Sequence, residues 1–565
     1  MGSYLYQSAS LLPHSFNRIE MIRGPGSALY GSDAFHGVLS LRSYEGVENE
    51  VNSSLTLTDD TLWMLNANAS YLINENHRFN FTVTKADQDD RDTSYVYQPP
   101  IGLFPADAPL ASSSRIDGYD ALNLFLKLHS NFTENIQSTF GVYTMQSDRD
   151  GAVGFGRNLT GISSLQDRDI TDGENDVLIL KHELSWNLPQ DLVFQSKVYY
   201  WEQENILVSD AIRLINFQSE VTLDEETLGV DLLIKQQENA FNTQWAIGLS
   251  YKDNEITDQE SVARDINFDF LFDLPDESVG FERDVKSVIL EARTKFADDS
   301  FHVLYGGRFD EYSDFGNQTS PRVGFIYLQD EFSVKLLYGE AFRAPVTTEI
   351  RGSNTLRGSE DLNPEVIETT ELVFMIQKEH WKANITFFQS EWTDGIVIQP
   401  LAIPVDGFFT EYVNVGENES DGIEISFIGD YQKTWSWDLS ASYVESEGEQ
   451  GTFSFDYVAF PKYIVNINGG YRFSDTLQFY MTNRLQIDTN DGPITGLISE
   501  TDELDDLFIT SITAQWAASS SLELDFSIIN LFDEDTLVPS VWNSEFGVDD
   551  STLMQRFQVA LRYQF

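Results

Sequence analysis

Residues Arg18–Arg42 read RIEMIRGPGSALYGSDAFHGVLSLR, and the fold turns on this stretch. A short β run, Ile19, Met21 and Ile22, ends at Gly24-Pro25, where proline removes a backbone donor and fixes φ, so the strand stops. Gly26-Ser27 leads into Ala28-Leu29-Tyr30-Gly31, a brief turn or helical piece between glycines that permit left-handed backbone. A second β run covers Val38, Leu39, Ser40 and Leu41, and the chain leaves through Ser43-Tyr44-Glu45-Gly46. The unit is a strand–turn–strand. It offers no nucleophile, metal cluster or phosphate loop, and taken alone it reads as a structural turn.

Outward from it, from about Val51, the chain alternates apolar and polar residues with period two. Phe79, Phe81 and Val83 share one face, and Arg78, Asn80, Thr82 and Thr84 the other. Trp435, Trp437, Leu439, Ala441 and Tyr443 alternate with Ser436, Asp438, Ser440 and Ser442. Leu522, Leu524, Phe526 and Ile528 alternate with Glu523, Asp525 and Ser527. This is strand periodicity with one apolar face. Many segments run about 10–15 residues, longer than soluble strands and suited to a tilted crossing of a bilayer. There are about 22 of them, within the range of membrane barrels.

The connections alternate between short and long. Short ones fall at Asn74-Glu75-Asn76, Asn131–Glu134, Asp298–Ser300 and Ser519–Ser521. Long polar ones fall at Gln88–Gly118, Asp148–Gly173, Ser209–Leu223, Asp253–Glu282 and Phe342–Val366. Short turns on one side and long loops on the other give this rhythm in a barrel. The last segment, Met554–Phe565, puts Phe557, Val559, Leu561, Tyr563 and Phe565 on one face. The expected class is therefore all-β, an antiparallel transmembrane barrel of about 22 strands.

Composition agrees. The 565 residues include no Cys, which excludes disulfides and cysteine chemistry. Lys and Arg number 35 against 91 acidic residues, a balance that repels phosphate backbones and argues against nucleic acid. No run of about 18 apolar residues encodes a membrane helix. A barrel strand needs apolar residues only at alternate positions, so a mean hydropathy of −0.28 is compatible with a membrane barrel.

The opening stretch resembles the end of the plug domain of TonB-dependent outer-membrane receptors, at Arg23-Gly24-Pro25, Leu29-Tyr30-Gly31 and Gly37-Val38. His36 stands where that family usually has Gly. Further stretches follow in family order: Tyr338–Pro345, similar to its YGxAFRAP segment; Asp361–Glu365 through Glu371-Leu372; Val413–Gly416 through Gly422–Ile425; and Asn530-Leu531-Phe532-Asp533. The terminal Phe565 resembles the assembly signal read by the barrel-assembly machinery.

The resemblance implies a plug remnant over residues 1–46 and a barrel over 47–565 in the outer membrane of a Gram-negative bacterium, among lipid and lipopolysaccharide. It implies uptake of a scarce nutrient, most often a ferric siderophore, driven through the TonB energy-transducing complex. Plug arginines pair with barrel glutamates in the family, which singles out Arg23 with Glu371 and Glu424, beside the turn residues Gly24, Pro25 and Gly31. Arg343 sits near the rim, and Tyr95, Tyr97, Phe104, Phe408 and Phe409 are candidate ligand-stacking aromatics in the loops. No resident cofactor is expected. Acidic runs such as Asp87-Gln88-Asp89-Asp90 and Asp167–Asp176 are candidates for Ca²⁺, against solvated loops as the plainer reading. The absence of a His from Phe342–Val366 lowers a haem reading. No enzyme chemistry is legible. Most of the plug and the TonB-binding segment are expected to be missing, which leaves a passive diffusion pore as the alternative.

Overall fold

The structure is a computed structural model and describes residues 11–32, 34–35, 37–97, 111–150, 172–212, 217–237, 239, 241–265, 270–273, 279–352, 356–405, 408–450, 453–456, 460–491, 502–534, 537–538, 549–550 and 554–565. Twenty-two antiparallel strands close into one barrel. Closure is made by the first strand, Glu50–Thr58, against the last, Arg556–Gln564, with Leu55 opposite Leu561 and Leu57 opposite Val559. The Phe565 amide adds a bond to the Val51 carbonyl at 2.9 Å. In lipid every backbone group must be satisfied within the protein, and a closed ladder achieves that without a helix.

The alternating residues point as their periodicity requires. Leu522, Leu524, Phe526 and Ile528 stand opposite Tyr563, Leu561, Val559 and Phe557 across one strand pair. Of these, Phe526, Phe557, Val559 and Leu561 are exposed on the outside of the cylinder, like Leu290, Tyr305 and Phe309 elsewhere, and the other four are half-buried beside them. The buried residues of the barrel strands are largely polar: Asn66, Asn80, Thr84 and Asn123 are almost wholly enclosed. An apolar exterior over a polar interior is the arrangement of a membrane barrel, the reverse of a soluble sandwich. Among the described residues no helix is long and apolar enough to cross a membrane.

The strands are longer than expected. His77–Tyr97 and Ala111–Thr133 remain paired as far as Tyr97 opposite Ala111, inside the stretch read as the loop Gln88–Gly118. Trp381–Val405 reaches 25 residues. Beyond Gln88 the ladder continues through Asp89–Ser94, a run of polar residues without an apolar period, so the sequence there reads as a loop although the pairing goes on.

Inside the barrel, strand Phe16–Arg23 pairs antiparallel with Gly37–Ser43. Between them the four-residue helix Ser27–Tyr30 closes on Gly31, whose amide bonds the Ser27 carbonyl at 2.9 Å. The Gly26 amide reaches the Ala34 carbonyl at 2.8 Å, so the turn holds itself together before it touches the wall. The barrel wall holds its entry: Asn66 donates to the His14 carbonyl at 2.9 Å and Asn123 to Ser15 Oγ at 2.9 Å.

Candidate functional site at the hairpin–barrel seam

Arg23 ends the first strand of the hairpin, and Gly24 turns the chain with φ +76°, in the left-handed region that glycine tolerates. The turn delivers the guanidinium to the barrel wall, where Arg23 Nη1 lies 2.5 Å from Glu424 Oε2. Glu371, on the neighbouring stretch of wall, sets its carboxylate over Gly24, 3.4 Å from where a Cβ would be. One plug cation therefore faces two barrel carboxylates, and the charge of Lys335 also reaches Glu371. The three residues singled out from the sequence are brought together. Pro25 packs near Gly339 of strand Phe332–Arg343, 3.6 Å from a Cβ position.

Beyond Pro25 the contact becomes close-packed. Ser27 is fully buried and its Oγ accepts from the Phe342 amide at 3.3 Å. Phe35 packs with Ala341 and Ile367 in one cluster, with Trp392 against it. Gly31, φ +89°, sits against Arg308: a Cβ there would come within 3.2 Å of the guanidinium. Arg308 in turn is buried in an ion pair, its Nε donating to Asp310 Oδ1 at 2.7 Å and its Nη2 to Ser287 Oγ at 2.7 Å. The LYG turn thus docks on a preformed polar platform, which the sequence did not single out. Its only trace was charge at alternate positions, Arg308 and Asp310, on a strand whose other face is apolar.

A second fastening holds the link into the barrel. Lys127, 4 % exposed, donates to Glu45 Oε1 at 3.0 Å. Ser70 Oγ and Asn80 Nδ2 both donate to the Gly46 carbonyl, at 3.0 and 3.1 Å. The Lys127 ammonium holds the Glu45 carboxyl below the usual glutamate range, against the opposing pull of burial. An apolar cavity of about 350 Å³ lies between hairpin and wall, lined by Phe16, Leu41, Phe125, Met145, Val177 and Trp201 among others.

At the outer end, Arg343 bonds Glu365 through Nε, and its Nη1 and Nη2 reach Glu349 at 3.1 and 2.9 Å. Glu349 also accepts from the Val346 amide at 2.7 Å, starting helix Thr347–Arg351. Arg343 therefore clamps the mouth. The motif stretches around Asn363 and Asn414 are tied together: the Asn363 amide donates to Asn414 Oδ1 at 2.8 Å, and Asn414 Nδ2 returns a bond to the Asn363 carbonyl at 3.0 Å.

Of the loop aromatics, Phe408 is half-buried opposite Val405. Tyr95, Tyr97 and Phe409 are placed in strands by their backbone, and Phe104 and His36 lie outside the described residues. Phe565 is exposed and its ring stacks edge-on to Tyr563 at 4.4 Å. Asp87 accepts from Trp63 Nε1 at 2.9 Å, and among the described residues no three acidic or His side chains converge to hold a metal. The acidic run from Asp167 lies outside the described residues as far as Thr171.

The chain matches the family model described as TonB dependent receptor-like, beta-barrel, over residues 123–531. It is 24 % identical over 496 residues to the iron-regulated outer membrane virulence protein of Vibrio cholerae serotype O1, covering 82 % of this chain and 68 % of that protein. It is 21 % identical over 583 residues to the ferrienterobactin receptor of Escherichia coli strain K12, covering 92 % and 76 %. The siderophore receptor PirA from Acinetobacter baumannii superposes with a TM-score of 0.77 at 16 % identity, over 98 % of this chain and 85 % of that one. A mutant ferric enterobactin receptor of Pseudomonas aeruginosa in complex with enterobactin gives 0.77 at 15 % identity, over 98 % and 86 %.

Proposed function

The chain belongs to the TonB-dependent receptors of the Gram-negative outer membrane, and on that premise we propose that it takes up a ferric siderophore by energy-coupled transport. The observation that carries the reading is a plug-type hairpin seated in a closed barrel on the Phe342, Arg308 and Glu424 surfaces. The relatives named for ferrienterobactin and for siderophores support the cargo class. In this reading Arg23, Glu371 and Glu424 hold the hairpin to the barrel, and the TonB complex supplies the pull that releases it. Outer-loop aromatics, Phe408 among them, meet the cargo first, and Phe565 guides assembly. A seated hairpin disfavours a passive pore, because it places protein across the path a freely diffusing solute would take.

The test is uptake of iron-55 enterobactin by cells whose own siderophore receptors are deleted and which express this chain. Uptake that a protonophore abolishes is the expected result. Uptake indifferent to the protonophore would sink the proposal in favour of the pore, and absence of uptake would sink the cargo assignment.

A further inference from the structure

A polar row interrupts the apolar exterior of the barrel just above its short turns. Four consecutive strands contribute one residue each: His77, Ser130, Ser138 and His182. Alternation sets them on the lipid side, with Phe79, Leu128, Phe140 and Leu184 as their outward neighbours. His77 Nδ1 lies 2.9 Å from Ser130 Oγ, and His182 Nε2 lies 2.9 Å from Ser138 Oγ. The two serines stand directly opposite each other. Each neutral His–Ser pair holds two polar hydrogens and spends one between its members, so one remains to be donated whichever tautomer is present. Among the described residues no further protein group takes it. The turn carboxylates Glu75 and Glu134 are exposed to water, which screens them.

The height of the row identifies what it meets. Leu128, Leu126, Leu124 and Leu122 face outward above Ser130, and Asp120, ten residues away, ends the apolar run. A rise of about 3.4 Å per residue and a tilt of about 40° make that distance roughly 26 Å, close to the apolar band of about 25 Å that such barrels present. The row therefore lies at the lower edge of the band, level with the headgroups of the periplasmic leaflet. Tyr71, Phe140 and Trp186 are exposed around it, the interfacial placing of aromatic rings. At that level lipid offers phosphate and ester oxygens as acceptors. Phosphate is the charged one, and a hydrogen bond to a charged acceptor is roughly twice as strong as a neutral one. We infer that His77, Ser130, Ser138 and His182 form a binding site for the phosphate of a phospholipid in the periplasmic leaflet. The site lies outside the lumen and takes no part in the passage of cargo. It ties four strands to one headgroup and so fixes the depth of this wall in the membrane.

The test is native mass spectrometry of the full chain in detergent, with dioleoylphosphatidylglycerol or with dioleoylglycerol, which has the same acyl chains and no phosphate. The wild type should retain the phospholipid and not the diacylglycerol. His77→Phe with His182→Phe keeps a ring at each position and should weaken retention of the phospholipid on the order of tenfold. Ser130→Ala with Ser138→Ala serves if that pair does not fold, as judged by heat-modifiable mobility. In wild type labelled with nitrogen-15 histidine, two of the seven ring signals should move on adding the phospholipid and stay in place with the diacylglycerol. Inorganic phosphate at millimolar concentration should not displace the lipid. Equal retention of the two lipids, unchanged retention in the substituted chains, static ring signals, or displacement by inorganic phosphate would overturn the inference. No cargo takes part, so this failure is separable from a failure of siderophore uptake.

Discussion

Ser27 Oγ accepts a hydrogen bond from the Phe342 backbone amide at 3.3 Å, across 315 residues of chain, and both groups are buried. A buried amide left without a partner costs about 1–3 kcal/mol, more than a typical hydrogen bond contributes net. Ser27→Ala should therefore loosen the hairpin while sparing the barrel. Hydrogen exchange should speed up at the amides of Ile19 through Leu41, with heat-modifiable mobility on gels retained. Unchanged exchange would mean that the bond carries no docking energy.

Gly31 separates two effects that are usually confounded. Its φ of +89° disfavours any side chain, and its missing Cβ leaves room for the Arg308 guanidinium at 3.2 Å. Gly316 has φ +100° and open space around its Cβ position. Gly316→Ala should show strain alone, on the order of 1–2 kcal/mol. Gly31→Ala should show the strain and a displaced Arg308, with faster exchange in the hairpin. Equal effects from the two substitutions would show that the Arg308 contact does not matter.

How much of this was legible follows from where apolar residues alternate. The row Leu522, Leu524, Phe526 and Ile528 announced its face, while its register with Tyr563, Leu561, Val559 and Phe557 came only from the structure, because alternation fixes a face and not a partner. The extensions at Arg91–Tyr97 and Ala111–Asp117 were read as loop because no apolar period survives in their sequence, although their ladder is intact. The convergence of Arg23 on Glu424 was reachable only through family resemblance, since nothing local in either strand names a partner 401 residues away. The Arg308–Asp310 platform, the Asn363–Asn414 tie and the Lys127–Glu45 fastening were missed for the same reason. Each joins polar residues from separate stretches of the chain, so residue type alone carried no signal of the partner.

On the outward face of the barrel Glu340, Glu368, Glu391, Glu419 and Glu447 stand directly opposite one another on successive strands, and this row makes a prediction about stability. Like charges directly opposite on a sheet are destabilising, by about 0.2–1 kcal/mol per pair. Glu391 has Glu368 on one side and Glu419 on the other. Glu391→Gln relieves both contacts and should raise stability by about 0.5–1 kcal/mol in low salt. The gain should shrink as salt is added, because the pairs are exposed. A lower melting temperature at low salt would mean that the row is already neutralised.

The Glu45–Lys127 fastening carries a pH dependence of definite sign. The folded carboxyl titrates below its ordinary range, so its contribution is complete above the unfolded value and is lost as pH falls through the folded one. Hydrogen exchange in the hairpin, wild type against Glu45→Gln at each pH, should differ at neutral pH and converge in acid. A difference that persists after the carboxyl has protonated would assign the effect to packing.

The Arg23–Glu424 contact and the Phe35 cluster compete for the role of principal fastener, and magnitudes decide between them. Arg23 is 68 % exposed, so its pair with Glu424 is discounted by solvent to at most about 1 kcal/mol. Phe35 is 6 % exposed between Ala341 and Ile367, and truncating a buried Phe to Ala costs about 3–5 kcal/mol. At 1.4 kcal/mol per factor of ten, Glu424→Gln should raise pore opening in planar bilayers about fivefold or less, and Phe35→Ala a hundredfold or more. Glu371→Gln should do less than Glu424→Gln, because Arg23 keeps its nearer partner. The order follows from what the joint must do: the apolar cluster holds the hairpin at rest, and the exposed ion pair fixes its register while remaining easy to break under a pull. If Glu424→Gln opens the barrel more than Phe35→Ala does, the ion pair is the fastener and the cluster only fills space.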